Sequence, residues 1–384
     1  MKLLHRHIFA NVTATCLAAV GVFTFILLLG NVLKDLLGYV LSGQLEFDSF
    51  LRLVGLLIPT MISYALPGSI LTGVLLVLGR MSSDREITAI RASGVSVAGI
   101  SAPIFFLALL GVAGSLAVNF HFMPTSRLAY QQEFDQTIRR NPLSFIVAKS
   151  FIRDFRGIVL YVGEKRGDST LKDFWLWEVD SQGRVRRFAR ADEGRITYDE
   201  ASNNLVLTVQ RAQIEVRDEK DPENFASISG APAMERATFY LPLDRVTGGG
   251  RASKPKPKWL TLSQLLEEWQ RLGAPDPTLT PEARAERERQ RMKVQIAFHE
   301  KCATAFSVLS FALLAIPLGI KVSRKETTAN LGIAVALALG YYFATFVVNS
   351  FDNQPAFRPD LLIWLPNLGF QALGIWMFRK VDRA

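Results

Sequence analysis

The side chains that could do chemistry in this chain are few and scattered. It has four histidines, His5, His7, His121 and His299, and none forms a metal-ligand pair. "HEKCA" at His299 begins like a zinc-protease helix but lacks the second histidine one turn on. No G-x-x-x-x-G-K-[ST] loop is present to cradle a nucleotide phosphate, and no G-x-S-x-G elbow presents a nucleophilic serine. The two cysteines, Cys16 and Cys302, lie within or beside apolar runs, and the polar middle of the chain has none, so it is not held by disulfides. What remains is charge: a mixed cluster, "GRMSSDREITAIRASGVS" at residues 79–96, and isolated cations at the ends of apolar runs. Such groups dock surfaces and hold anions. We therefore expect no catalytic residue, no metal and no cofactor.

The elements that must position these charges are apolar. The hydrophobic fraction of 49% is unremarkable for 384 residues, but it is concentrated toward the two ends of the chain. Six runs are long enough to span a bilayer: Ile8–Leu33, Leu53–Leu78, Val97–Phe120, Cys302–Ile320, Ala329–Ser350 and Leu361–Phe378. The first is too long for a signal peptide and no small-x-small cleavage site follows it, so it reads as a retained span. Lys and Arg at the run ends set the orientation. Lys2, Arg6, Arg80, Arg85, Arg91, Lys321, Arg324, Lys325, Arg379, Lys380 and Arg383 lie on one side, against Lys34, Arg52 and Arg358 on the other. Eleven against three places both termini in the cytoplasm and the polar middle outside. The net charge of +9 follows from this topology and calls for no nucleic-acid partner. The six runs hold no Asp, Glu, Lys or Arg, which argues against ion-coupled transport and intramembrane catalysis. Any energy for transport must come from another chain. Ser69 and Gly73, four residues apart, read as a close-packing pair.

The cluster at 79–96 lies on the cytoplasmic side. Ser83 and Glu86 fit an S-x-x-E capping box, and Gly94 is placed to stop a short helix. Between them Ile87, Ala89 and Ile90 are apolar and Arg85, Glu86 and Arg91 charged, with Asp84 and Glu86 where the helix dipole favours negative charge. At about nine residues it is too short to stand alone in water and must pack on a surface. Its mixed charge suits a protein surface better than anionic lipid. A plain tight loop is the alternative.

The middle segment alternates as strands do. "GIVLYVGEK", "FWLWEVD", "RVRRFARA", a hairpin "RITYDEASNNLVLTVQRAQIEV" turning at Asp199–Asn204, and "ERATFYLPL" predict an antiparallel sandwich or open barrel. "GGGRASKPKPKW", 248–259, reads as a linker without packing signal. "LTLSQLLEEWQRLG" predicts an amphipathic helix, and "TPEARAERERQRMKVQIAF" a charged helix running into the fourth span.

"LPGSILTGVLLVLGRMSSDREITAIRASGVS", residues 66–96, closely resembles the second span and following helix of the lipopolysaccharide-export permease family (YjgP/YjgQ, LptF/LptG type). "YVGEKRGDSTLKDFWLWEVDSQG", "ARADEGRI" and "LAIPLGI" resemble that family's outer domain and fourth span. The resemblance implies an α-helical membrane protein with six transmembrane helices (3+3) and an extracytoplasmic antiparallel β-sandwich or jellyroll between the third and fourth. Residues 1–123 would hold spans 1–3 with a coupling helix at 83–93. Residues 124–247 would form the periplasmic jellyroll, 248–297 a linker with charged helices, and 298–384 spans 4–6. The function implied is that of an inner-membrane permease subunit in an ATP-driven complex exporting lipopolysaccharide. Its implied partners are a cytoplasmic P-loop ATPase dimer (LptB type), a second homologous permease, and a single-span protein (LptC type) leading to a periplasmic bridge. Asp84, Glu86, Ile87, Ile90 and Arg91 map onto the ATPase-coupling helix. Lys34 maps onto the family's basic residues for headgroup phosphates; Arg52 opposes it across the first outer loop, and Arg127, Arg139 and Arg140 are further candidates. Alternatives are a permease that transmits motion without passing lipid, and a non-catalytic envelope scaffold.

Overall fold

A computed structural model describes residues 2–30, 34–41, 43–140, 148–152, 157–166, 170–180, 183–199, 202, 204–216, 233–242, 256–274, 280–321, 327–350 and 358–383. The chain forms two compact units. One comprises 1–33, 54–128 and 256–384; the other comprises 34–53 and 129–255.

The first unit is helical. Its elements are α1 (Lys2–Leu28), most of α3 (Phe47–Ser83), α4 (Glu86–Ala92), α5 (Val97–Ala117) and a π-turn at Val118–Phe122 leading into α6 (Met123–Arg140). They continue with α7 (Leu262–Gly273), α8 (Pro281–Lys321), α9 (Thr327–Asn349), α10 (Pro359–Leu362) and α11 (Leu365–Asp382). Among the described residues, five helices are long and apolar enough to cross a membrane; the remaining apolar run falls in α9, whose described apolar part is Val335–Val348. With 37 and 41 residues, α3 and α8 outreach the ~30 Å hydrocarbon layer. In α8 the charged stretch and the apolar stretch are one continuous helix, as the sequence suggests.

The helices pack through small side chains, because lipid leaves no hydrophobic drive between them and close contact must supply the attraction. Ile8, Val12 and Cys16 of α1 meet Leu71, Val74 and Leu75 of α3, with Ile100, Ile104, Val308, Phe311 and Ala312 completing the core. At Gly73 an added Cβ would lie 3.0 Å from the Cys16 backbone, so only glycine permits this crossing. Ser69, four residues earlier, is fully buried and donates to the Ala65 carbonyl at 2.7 Å. Asn367 of α11 ties three helices: it accepts from Ser310 (3.1 Å) and Tyr341 (3.2 Å) and donates to the Ala303 carbonyl (2.7 Å).

The 248–259 stretch is not a bare linker at its end. Pro257–Trp259 forms a 3₁₀ turn, and the Trp259 ring lies under Arg127 at 5.5 Å and Lys256 at 5.4 Å. Thr261 then starts α7 with a reciprocal capping box to Gln264, and Leu265 and Leu272 bury against α8.

The second unit joins α2 (Lys34–Leu41) and parts of α3 and α6 to six strands: β1 (Ser150–Ile152), β2 (Ile158–Arg166), β3 (Thr170–Val179), β4 (Val185–Asp199), β5 (Asn204–Val216) and β6 (Ala233–Pro242). They form one antiparallel sheet in the order β1-β2-β3-β4-β5-β6. The hairpin turns where the sequence places it, with Asp199 opposite Asn204. "RVRRFARA" and "RITYD" prove to be one strand, β4. One face is buried by Leu160, Val162, Phe174, Leu176, Leu207 and Val209, and Ile138 of α6 joins that core.

A crease crosses this sheet. On β3, β4 and β5 the buried side chains alternate until Leu171/Phe174, Ala191/Gly194 and Val209/Ala212, where the spacing jumps to three. The register is the same on both sides of the jump, but the facing pairs Asp173/Asp192, Asp192/Arg211 and Arg211/Glu235 drop out of the ladder. Asp173 (φ 48°) and Arg211 (φ 53°) sit there in the left-handed region. The irregularity therefore follows one transverse line across β3, β4 and β5 to Glu235 of β6. Gly163 continues it on β2, where a Cβ would meet the Asp173 Cβ at 2.9 Å.

Candidate functional site

The mixed cluster at 79–96 folds as a short helix, but not with the expected cap. Helix α3 runs through Ser83, so that serine ends one helix and cannot begin the next. Asp84 N–H still bonds back to the Arg80 carbonyl (2.9 Å), and the Asp84 carboxylate pairs with Arg80 at 3.7 Å. Arg85, at φ 61°, then turns the chain in the left-handed region, and α4 starts at Glu86 with no side-chain cap. The S-x-x-E pattern is thus present without the capping box, and the helix covers Glu86–Ala92 within the expected 83–93. Its end is as read: Gly94 (φ 86°) donates to the Arg91 carbonyl at 2.9 Å. Ser96 caps α5 by accepting from Gly99 N–H at 3.1 Å.

Packing sorts the five singled-out residues into two groups. Ile87 is 3% exposed and sits in the core with Leu78, Met81 and Ile100, while Ile90 packs against that core half-buried. Asp84 and Glu86 are exposed, and Arg91 is half-buried. A further tie holds the platform: the Ser82 hydroxyl donates to the Ile320 carbonyl at 2.8 Å, fixing the end of α3 to the end of α8. The short helix is therefore anchored by isoleucine and leaves Glu86 exposed at its start, beside the exposed Asp84.

The same unit contains an apolar cavity of about 560 Å³ walled by α1, α3 and α9. Phe23, Ile26 and Leu27 face Met61, Tyr64 and Gly68, and Val335, Leu339 and Tyr342 form the third wall. The Tyr342 hydroxyl donates to the Tyr64 carbonyl at 2.7 Å, which joins two walls and leaves the lining almost wholly hydrocarbon. Such a lining suits hydrocarbon better than ions. It can hold acyl chains.

The expected headgroup cations have varied surroundings. Arg52 is exposed and pairs with Asp48 one turn earlier at 2.8 Å. Arg127 stacks on Trp259. Lys34 opens α2, and Arg139 and Arg140 close α6; their side chains lie outside the described ones.

A residue that sequence reasoning missed is Lys301. It directly precedes the fourth apolar run, and it is only 4% exposed. Its ammonium donates to the Asn119 carbonyl (2.7 Å) and the Leu260 carbonyl (2.9 Å) and lies 5.5 Å from the Phe120 ring. Asn119 belongs to the π-turn, and its side chain accepts from Ser63 at 2.7 Å and donates to the Ser115 carbonyl at 2.8 Å. A π-turn leaves backbone carbonyls off the regular ladder, and here a buried cation takes one of them. Only the lysine's place at the head of an apolar run hinted at this. Among the described residues no group of three or more His, Cys, Asp or Glu could hold a metal.

Residues 6–380 match the family model described as the lipopolysaccharide export system permease LptF/LptG. The lipopolysaccharide export system permease protein LptF of Escherichia coli K12 is 24% identical over 351 residues, covering 89% of this chain and 86% of that protein. The proteins of the same name from Escherichia coli O157:H7 and Shigella flexneri match to the same extent. Membrane-length helices, an antiparallel sheet and a family match over nearly the whole chain agree, and this protein belongs to the LptF/LptG family of lipopolysaccharide export permeases.

Proposed function

We propose that the chain is a permease subunit of an ATP-driven complex in the bacterial inner membrane, extracting lipopolysaccharide and passing it to a periplasmic bridge. In this reading six spans, 1–123 and 298–384, lie in the membrane with both termini cytoplasmic. Residues 124–247 form a periplasmic domain whose sheet closes as a jellyroll, and 248–297 connect the two. ATP hydrolysis belongs to a separate P-loop ATPase dimer. A second homologous permease and an LptC-type single-span protein complete the assembly.

The observation that carries the reading is the apolar cavity between α1, α3 and α9, in the same unit as the short helix α4 anchored by Ile87. A lipid with several acyl chains needs such walls, and a projection rooted in the core can transmit a push from a docked motor. Asp84, Glu86 and Arg91 would meet the ATPase, with Ile87 and Ile90 holding the helix in place. Lys34 and Arg52, with Arg127, Arg139 and Arg140, are the cations proposed for headgroup phosphates.

The test combines two measurements on protein from native membranes. A photo-crosslinker at Leu339, in the cavity wall, should attach to lipopolysaccharide. The wild type should co-purify a P-loop ATPase and a second permease, and Glu86→Arg should lose the ATPase. Intact co-purification without crosslinks at several wall positions would favour a permease that transmits motion only. Loss of both would favour a scaffold.

A further inference from the structure

The outer face of the sheet, opposite its buried core, carries a continuous platform of aromatic rings. Phe151 on β1 lies 5.0 Å from Tyr161 on β2 and 5.9 Å from Trp177 on β3. Trp175 lies 5.7 Å from Trp177, and Phe188 on β4 closes the group at 5.5 Å from Trp177. Five rings thus span four strands, with Phe151 59% exposed and the others half-buried. The crease borders this platform. At the border Trp175 donates its indole N–H to Asp173 at 2.9 Å and carries Arg190 over its ring at 4.9 Å.

Two open hollows of about 600 and 560 Å³ follow the crease and share Asp192. Lys149, Asp173 and Arg211, three of the positive-φ residues other than glycine, line them. Left-handed backbone costs a side-chain-bearing residue about 1–2 kcal/mol, so these charges are held where an unstrained strand would not put them. The hollows carry four cations and four carboxylates between them, mostly on exposed side chains such as Asp192 and Arg211, paired at 3.4 Å.

We propose that this face binds the saccharide portion of the exported glycolipid. The inference rests on the cargo reading above. A pyranose has an apolar C–H face that stacks on an aromatic ring and an equatorial rim of hydroxyls that bonds to carboxylates and guanidiniums. The platform offers the first and the crease the second, side by side. Charge decides among ligands: four cations balanced by four carboxylates do not select phosphate, and a row of charges does not suit acyl chains. A hydroxyl-rich, weakly charged sugar chain fits. The bundle cavity would serve the lipid, and the outer face its sugars.

The experiment uses the full chain in phosphatidylcholine nanodiscs, titrated with lipid-free core oligosaccharide released from lipopolysaccharide by mild acid. Tryptophan fluorescence and saturation-transfer NMR report binding. The wild type should bind saturably, without competition from inorganic phosphate. Trp177→Ala and Asp173→Asn should each weaken binding about tenfold, while Trp177→Phe, which keeps a stacking ring and the fold, stays within about threefold. Absence of wild-type binding, equal binding by Trp177→Ala, or full competition by phosphate overturns the proposal. So does a Trp177→Ala variant that loses a periplasmic protein partner while no sugar binds. The Leu339 crosslink separates the two readings: crosslinks without sugar binding sink only this inference, and sugar binding without crosslinks sinks the cargo reading and leaves a saccharide site whose ligand is not cargo of this chain.

Discussion

Two residues on one short helix illustrate how position divides anchoring from recognition. Ile87 is buried and Glu86, its neighbour, is exposed. Truncating Ile87→Ala leaves a cavity in the core and should destabilise the protein by about 2–5 kcal/mol, read as a lowered denaturation midpoint in detergent. Glu86→Ala should leave that midpoint in place and weaken only the association with the proposed ATPase partner, to be read by pull-down. Arg85 makes a second case. Its φ of 61° suits glycine, and no side-chain cap at α4 depends on it. Arg85→Gly should leave stability unchanged or raise it by up to about 1 kcal/mol, measured in the same unfolding series. Lys301 is the opposite. Its ammonium serves two buried carbonyls, and Lys301→Met would leave both unsatisfied. A loss of about 2–4 kcal/mol is expected, with Lys301→Arg failing to restore it because a guanidinium is larger and planar.

Between helices, the crossing of α1 and α3 depends on glycine. The Gly73 contact leaves no room for a side chain beside the Cys16 backbone. Gly73→Val must separate the helices, so Cys16, 6% exposed, should become reactive to a membrane-permeant maleimide. Continued protection of Cys16 in that variant would show that the crossing yields elsewhere. The sheet shows the same dependence on geometry: its crease needs Gly163 opposite Asp173 and two residues in left-handed backbone.

For the whole molecule, the cavity and the anchored helix belong to one unit, and the export reading requires them to act together while remaining separable by mutation. Gly68 lines the cavity, with only Phe23 near its open side at 3.9 Å. Gly68→Phe should fill part of that space and reduce lipopolysaccharide crosslinking at Leu339 several-fold while leaving ATPase co-purification intact. Loss of the ATPase in this variant would show that the substitution disturbs the whole bundle.

What the sequence by itself determined is the part set by local chemistry. Uncharged runs of membrane length, the lysine and arginine bias, the Asp199–Asn204 turn and the Gly94 stop are legible because each depends on neighbours in the chain or on the solvent. The limits of α4 were less legible, since Ser83 has the chemistry of a cap but helix α3 claims it first. Only the tertiary structure decided the rest. Lys301 is a buried tie because carbonyls from residues 119 and 260 converge on it. The cavity exists because three helices far apart in sequence leave a gap between them. The aromatic platform exists because antiparallel register sets Phe151, Tyr161, Trp175, Trp177 and Phe188 side by side. Each is a coincidence in space between residues remote in sequence, and pattern along a single chain carries no record of that.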